Sequence, residues 1–369
     1  MSKQSGLELQ ALALSELKTH RSEKWRSFPE DVLPLPVAEM DFPVAEPIRQ
    51  ILREMVDTSD LGYLGPIPEL GRAFSGFAER RWGWKADAAQ VRIAADVGVG
   101  VVVVLRVITQ PGDKILINSP VYPNFWTWCA ETKLEQVDIP FSQSVEEVDG
   151  SHWVLDWDGI ERAYASGIKA HLLCNPHNPL GRVFNRAELT RFADLAKKHG
   201  VYILSDEIHA PLTYSGNMFT PFASVSEEAK ERVITLTSAS KSWNLAGLKC
   251  SVFFTENKVL HEKLEPLVKG IRSRASLIGA AGHVAAFSQA DDWLDSAIAT
   301  MEASNRLLHA LVEKKWPNVK LSNPRIVTSH GLISRRQNWV KILLSSCWKK
   351  RASTASTCHS LPTPATSTP

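Results

Sequence analysis

Between residues 114 and 241, short apolar runs alternate with longer amphipathic stretches, and each run ends in polar or turn-forming residues. Lys114–Ile117 follows a Pro-Gly-Asp turn and ends at Asn118-Ser119-Pro120-Val121-Tyr122-Pro123. His171–Cys174 leads into Asn175-Pro176-His177-Asn178-Pro179-Leu180-Gly181, Val201–Leu204 into Ser205-Asp206-Glu207-Ile208-His209, and Val233–Leu236 into a Ser/Thr cluster that ends at Lys241. The spacing leaves room for a crossover helix between runs, which predicts a mostly parallel central sheet with helices on both faces, an α/β fold. Ligands of such sheets lie at the carboxyl ends of the strands. Tyr122, Asn178, Asp206 and the stretch 235–250 all fall at such ends, and this convergence marks the candidate site.

A chain of 369 residues, 44% of them hydrophobic, is long enough for two domains or for one large domain with a satellite. Its longest apolar stretch, Val97–Ile108, is interrupted by Arg106 and too short to span a bilayer, and the first residues lack the basic-then-apolar layout of a signal peptide. No membrane association is expected, and the cytoplasm is the expected compartment. Five scattered cysteines without a Cys-x-x-Cys pair predict reduced thiols and no metal site. The net charge of +2 conceals an asymmetry: all 40 acidic residues lie at or before Glu313, whereas residues 314–369 hold 10 basic residues and no acidic one. No recognisable nucleic-acid-binding motif accompanies that basic tail, so no nucleic-acid partner is expected.

Leu7, Leu9, Leu12, Leu14 and Leu17 have a roughly helical spacing, and the Pro-rich segment 29–47 should wrap over a surface in extended form. Within it, Val37-Ala38-Glu39-Met40-Asp41-Phe42 is either an ordered arm or the edge of a substrate site. Helices are predicted from Pro47 to Val56 and from 69 to 84, with Leu61-Gly62-Tyr63 in the intervening loop. Gly98 and Gly100 precede the apolar helix Val101–Ile108 and allow backbone N–H groups at its start to approach an anion. Asn185 and Glu188 form a capping-box pattern for a helix that closes at His199-Gly200. Taken alone, Lys241 in Ser-Ala-Ser-Lys reads as a solvated surface charge, and Tyr122 as ordinary half-buried packing.

In this order and spacing, Asn-Pro-His-Asn-Pro-x-Gly, Ser-Asp-Glu-Ile-His and Ser-Ala-Ser-Lys resemble a fold type I pyridoxal-phosphate enzyme of the class I/II aminotransferase superfamily. Val-Ala-Glu-Met-Asp-Phe, Pro-Val-Tyr-Pro and Ser-Ala-Ser-Lys-Ser-Trp-Asn-Leu-Ala-Gly-Leu-Lys-Cys resemble, more narrowly, its MalY/PatB-type cystathionine beta-lyase branch, over about residues 25–315. The resemblance implies pyridoxal 5′-phosphate as cofactor, an amino-acid substrate and a homodimer. It makes Lys241 the cofactor lysine and the base for the Cα proton, and pairs Asp206 with the pyridine nitrogen. It puts Asn178 on the ring 3-oxygen and Tyr122 on the ring face. The phosphate would lie among the Val97, Gly98 and Val99 amides, Ser238 and Lys249, with Tyr63 reaching it from the neighbouring subunit. His209 stands where related aminotransferases often carry a tyrosine, and its role stays open. The implied reaction is α,β-elimination of a thiol from cystathionine or a related cysteine S-conjugate. An aminotransferase using the same residues is the alternative, and a cofactor-binding protein without turnover is a second.

Leu180 replaces the family's usual threonine, and the larger departure begins after about Asn323. The small-domain strand and the carboxylate-clamping arginine of the family find no counterpart there; none of Arg325, Arg335, Arg336 and Arg351 sits in a matching context. The last 18 residues, Ala352–Pro369, include nine Ser or Thr and three Pro, a composition that does not build a core. Ser329-His330-Gly331-Leu332-Ile333 can be encoded so that a one-base shift reads Leu-Ala-Trp-Ile-Asp, as the family has it, so a frameshift upstream of Ser329 is the expected origin of the tail. The expected organisation is an arm with part of a small domain (1–45), a large cofactor domain (46–275), the start of a C-terminal small domain (276–323) and an aberrant, partly disordered tail (324–369). Weak binding of amino acids would follow.

Overall fold

A computed structural model describes residues 9–35, 37–148, 151–317, 319–321, 324–326 and 332–334. Its strands are β1 (Val91–Ala94), β2 (Lys114–Ile117), β3 (Glu135–Asp138), β4 (Ser142–Val148), β5 (Ser151–Val154), β6 (Ala170–Cys174), β7 (Tyr202–Asp206), β8 (Val233–Thr237), β9 (Ser251–Phe254), β10 (Val319–Leu321) and β11 (Leu332–Ser334). Seven of them form one sheet in the order β1-β9-β8-β7-β6-β2-β3. The run from β3 to β8 is parallel, and β9 joins antiparallel to both β8 and β1. The mostly parallel sheet is therefore present, with an antiparallel edge. Two antiparallel hairpins, β4–β5 and β10–β11, stand outside it.

Side-chain alternation along the strands divides the core in two. Leu172 and Cys174 of β6, with Ile234 and Leu236 of β8, belong to the cluster that includes the helix Val97–Ile108. Leu173 and Val233, one residue out of step, belong to the cluster with Phe77, Phe192 and Phe287 from helices on the opposite face. Both faces are thus covered, which is why these strands read as continuous apolar runs.

Residues up to Arg306, with 324–326, group into one compact unit; described residues from Leu307 to 321, with 332–334, group into a second. Within the first unit, the helix Leu277–Gln289 packs on the helices Glu46–Asp57 and Pro68–Trp82. Arg325 is also held there: its N–H donates to the Gly181 carbonyl at 2.8 Å and its carbonyl accepts from Tyr214 N at 2.9 Å. The reading-frame expectation at 329–331, the arginines Arg335, Arg336 and Arg351, and the Ser/Thr/Pro-rich 352–369 lie outside the described residues.

Two local expectations are corrected. The leucine spacing of 7–17 yields only a single helical turn, Leu14–Leu17, within the described part. The Leu9 N–H is taken by Thr300 Oγ1 at 2.8 Å and that of Leu12 by the Asp41 carbonyl at 2.9 Å, so tertiary partners replace helical ones. The helix expected from Val101 starts at Val97, placing Gly98 and Gly100 inside its first turn. The reason is Asp96, whose Oδ1 accepts the Val99 N–H at 2.8 Å and caps the helix one turn early. The capping box of Asn185 and Glu188 is present as expected. Among the described residues no helix is long and apolar enough to cross a membrane, and no group of His, Cys, Asp or Glu is arranged to hold a metal.

Candidate active site

The carboxyl ends of β2, β6, β7 and β8 open into one cavity of about 700 Å³. Its walls include Val97, Gly98, Val99, Tyr122, Asn178, Asp206, His209, Lys241 and Lys249, nine of the eleven residues singled out in the sequence. Val37 and Ala38 also line it, so the 37–42 segment forms the edge of the site. Asn244 explains how: its side chain accepts from Met40 N at 3.0 Å and donates to Met40 O at 2.9 Å, clamping the segment beside the lysine.

Lys241 lies on the helical turn Ala239–Ser242 that follows β8. Two residues on, the fully buried Trp243 donates its indole N–H to the Ala290 carbonyl at 3.0 Å and fixes this turn to the core. Burial lowers the Lys241 pKa; Asp206 and Glu39 oppose this and Lys249 reinforces it. An amine so placed releases its proton more readily than a surface lysine.

Asp206 closes β7 and is 7% exposed. Burial raises its carboxyl to about 7, against the pull of the Ile208 N–H, which donates to Oδ1 at 3.2 Å, and of Lys241. Its neighbour Glu207, buried away from the cavity, is pushed to about 8 although Ser205 Oγ and Phe222 N both donate to it. A carboxyl whose folded pKa lies above its unfolded value keeps a proton that the unfolded chain releases. Stability therefore falls as pH rises from the ordinary carboxylate range through these values. Glu207→Gln keeps an acceptor for both donors and does not titrate. Thermal melts from pH 5 to 8 should show wild type losing stability relative to this variant by a few degrees; parallel curves would mean that Glu207 is already ionised.

Asn178 follows β6, its N–H directed at Cys174 Sγ at 3.3 Å. Cys174 is the register partner of Asp206, so the asparagine loop and the aspartate share one sheet position. Tyr122, 38% exposed, accepts from Asn124 Nδ2 at 2.9 Å and meets Trp128 edge-on. Its pKa is raised by burial and by the negative charge of Asp206 and Asp96, so the hydroxyl stays protonated. His209 is buried, its pKa lowered to about 4 chiefly by burial, and its Nδ1 has no hydrogen-bond partner among the described residues.

At the other end of the cavity, the Val97 and Gly98 N–H groups have no intrahelical acceptor, while that of Val99 is held by Asp96. Lys249 Nζ lies 3.2 Å from Asp96 Oδ2. Gly98 is required by close approach: a Cβ there would sit 2.8 Å from Trp128 Nε1. Two expected residues are not in the cavity wall. Ser238 is 1% exposed and lies behind it, its Oγ donating to the Cys250 carbonyl. Tyr63 is 93% exposed in the loop before the helix Pro68–Trp82. Arg325 does not line the cavity and lies 3.8 Å from Glu147.

Asp96, Trp128, Arg274 and the Glu39 charge were not foreseen. Asp96 carried a readable signal, an aspartate directly before a helix start. Arg274 follows the helix Lys258–Arg272 and Trp128 lies within Asn124–Thr132; neither belongs to a local pattern that separates it from surface or core.

The family described as aminotransferase class I and II matches residues 30–335. A cystathionine beta-lyase of Corynebacterium glutamicum is 35% identical over 82% of this chain and 78% of its own length. Cystathionine beta-lyase PatB of Bacillus subtilis is 30% identical over 82% of this chain and 79% of its own. Among solved structures, cystalysin from Treponema denticola, which contains a pyridoxal 5′-phosphate cofactor, superposes with a TM-score of 0.77 at 26% identity, covering 86% of this chain and 80% of that one.

Proposed function

The chain belongs to the class I and II aminotransferase family, and from that premise we propose that it is a pyridoxal-phosphate-dependent carbon–sulfur beta-lyase. The substrate class is cystathionine and related cysteine S-conjugates, and the products are a thiol, pyruvate and ammonia. The observation that carries this reading is the convergence of Lys241, Asp206, Asn178 and Tyr122 on one cavity, in a chain whose relatives named above are cystathionine beta-lyases.

The residues suit the cofactor on physical grounds. A buried amine of lowered pKa meets the requirement for reaction with an aldehyde. A buried carboxyl beside it gains a natural partner in a protonated pyridine nitrogen, which would return its pKa toward the carboxylate range. The bare Nδ1 of His209 and the Val97 and Gly98 amides offer polar groups to a ligand rather than to the protein.

When bound, pyridoxal phosphate supplies an electron sink for negative charge at Cα. Lys241 is then the base that removes the Cα proton, and Asp206 holds the proton on the pyridine nitrogen so that the sink stays electron-poor. Asn178 would orient the ring through its 3-oxygen, Tyr122 would cover a ring face, and Val97, Gly98, Val99, Ser238 and Lys249 would hold the phosphate. With the Cα proton gone, the Cβ–S bond breaks and the sulfur leaves as thiolate. Addition of water to the remaining unsaturated amine yields pyruvate and ammonia. The reading includes a homodimer, in which the exposed Tyr63 would meet the phosphate end of the second copy, and a cytoplasmic location. Supplying a panel of amino acids tests it: cysteine thioethers should release thiol, and other amino acids should not. Transfer of the amino group to a 2-oxo acid without thiol release would instead assign the aminotransferase alternative.

A further inference from the structure

Two of the groups read above as phosphate contacts are already held by one side chain. Asp96 Oδ1 accepts the Val99 N–H at 2.8 Å, and Lys249 Nζ donates to Asp96 Oδ2 at 3.2 Å. Asp96 is the N-cap of the helix Val97–Ile108, and all three residues line the cavity. A carboxylate therefore stands among the donors that an anion at this end of the cavity would use, and it engages them through the same oxygen chemistry.

The two contacts of Asp96 differ in kind. The one to Val99 is local, and it satisfies an N–H that has no acceptor within the helix. The one to Lys249 joins segments 153 residues apart, and its side chains are 61% exposed for Lys249 and 44% for Asp96. An ion pair so open to water is worth little and gives up its partner readily. A phosphate carries more negative charge than a carboxylate and is the stronger partner for the ammonium. The Asp96 charge also reaches beyond this pair. The Tyr122 pKa, raised by burial first and then by Asp206, is raised further by Asp96, so an anion entering the same cavity meets that charge as repulsion.

We propose that Asp96 is a resident competitor for the cofactor's phosphate: its carboxylate keeps Lys249 occupied, and the phosphate binds by taking that lysine from it. The inference rests on the reading of Lys249 as a phosphate contact. Asp96 thus sets the affinity of the phosphate end below what Lys249 and the helix N-terminus alone would give. The consequence is that neutralising this cavity residue strengthens binding, and does so only for the phosphorylated form of the cofactor.

The test titrates the full chain, in phosphate-free buffer, with pyridoxal phosphate and with pyridoxal, which lacks the phosphate, and follows the visible absorbance of the attached ligand. Asp96→Asn keeps a side-chain oxygen for the Val99 N–H, so the helix stays capped while the charge is removed. It should bind pyridoxal phosphate about tenfold more tightly than wild type and pyridoxal within about twofold, and the gain should shrink as salt is raised. Lys249→Met should weaken pyridoxal phosphate and not pyridoxal, and in that background the gain from Asp96→Asn should fall to about threefold or less. Unchanged or weaker binding of pyridoxal phosphate by Asp96→Asn, or an equal gain for both ligands, would overturn the proposal and leave Asp96 as a cap that aligns the lysine. An undiminished gain in the Lys249→Met background would also overturn it, since no lysine is then contested. A Lys249→Met chain that keeps its full preference for the phosphorylated ligand would instead overturn the placement of the phosphate itself. If Asp96→Asn does not fold, Asp96→Ser, which also caps a helix, replaces it under the same criteria.

Discussion

Replacing Lys241 with alanine is expected to lower turnover by at least about 10⁴-fold and to abolish the visible absorbance that pyridoxal phosphate acquires on covalent attachment to a protein amine. The reason is that two tasks converge on one atom. In the proposed mechanism the amine that holds the cofactor is the same one that takes the Cα proton, and its buried position makes the neutral form accessible. The turn that carries it is anchored by Trp243 and capped by Ser238, so an alanine leaves the surrounding backbone supported. Loss of activity with an unchanged melting temperature in the cofactor-free chain would therefore isolate the chemistry. Retention of turnover within tenfold would mean that another group serves as base, contrary to the assignment.

Replacing Asp206 with asparagine should cost on the order of 10³-fold in turnover, with a smaller change in cofactor affinity. Asparagine matches the aspartate in size and retains an acceptor for the Ile208 N–H, so the local structure is kept. What it lacks is negative charge. Without that charge the buried carboxylate that would favour a proton on the pyridine nitrogen is gone, and the electron sink would weaken where negative charge develops at Cα. Burial already holds the carboxyl at about 7 in the free chain, so asparagine should cost little stability below that pH. A variant with near wild-type turnover would show that the ring nitrogen need not be protonated.

Much of this architecture was readable because the parallel strands are buried on both faces. Lys114–Ile117 was delimited to the residue, and β6 and β8 to within one, since an uninterrupted apolar run between turn formers has few alternatives. The site residues were legible for a related reason: Tyr122, Asn178, Asp206 and Lys241 each lie just at or beyond the end of such a run. Other features depended on contacts distant in sequence. The position of β1 at the sheet edge is set by pairing with β9, some 160 residues later, and the non-helical course of Leu9–Ala13 by Thr300 and Asp41. Tyr63 illustrates the opposite limit, since its motif is local whereas the role implied for it requires a second copy of the chain.

The sharpest discrimination comes from counting pyruvate formed per cystathionine consumed when the purified, pyridoxal-phosphate-loaded chain acts without any added 2-oxo acid. A beta-lyase gives one pyruvate and one thiol per substrate and continues over many turnovers. An aminotransferase stalls after a single amino transfer, with the carbon–sulfur bond intact and no pyruvate. For a beta-lyase the expected ratio is near one and persists beyond the enzyme concentration; consumption that stops at one equivalent without pyruvate would contradict that assignment.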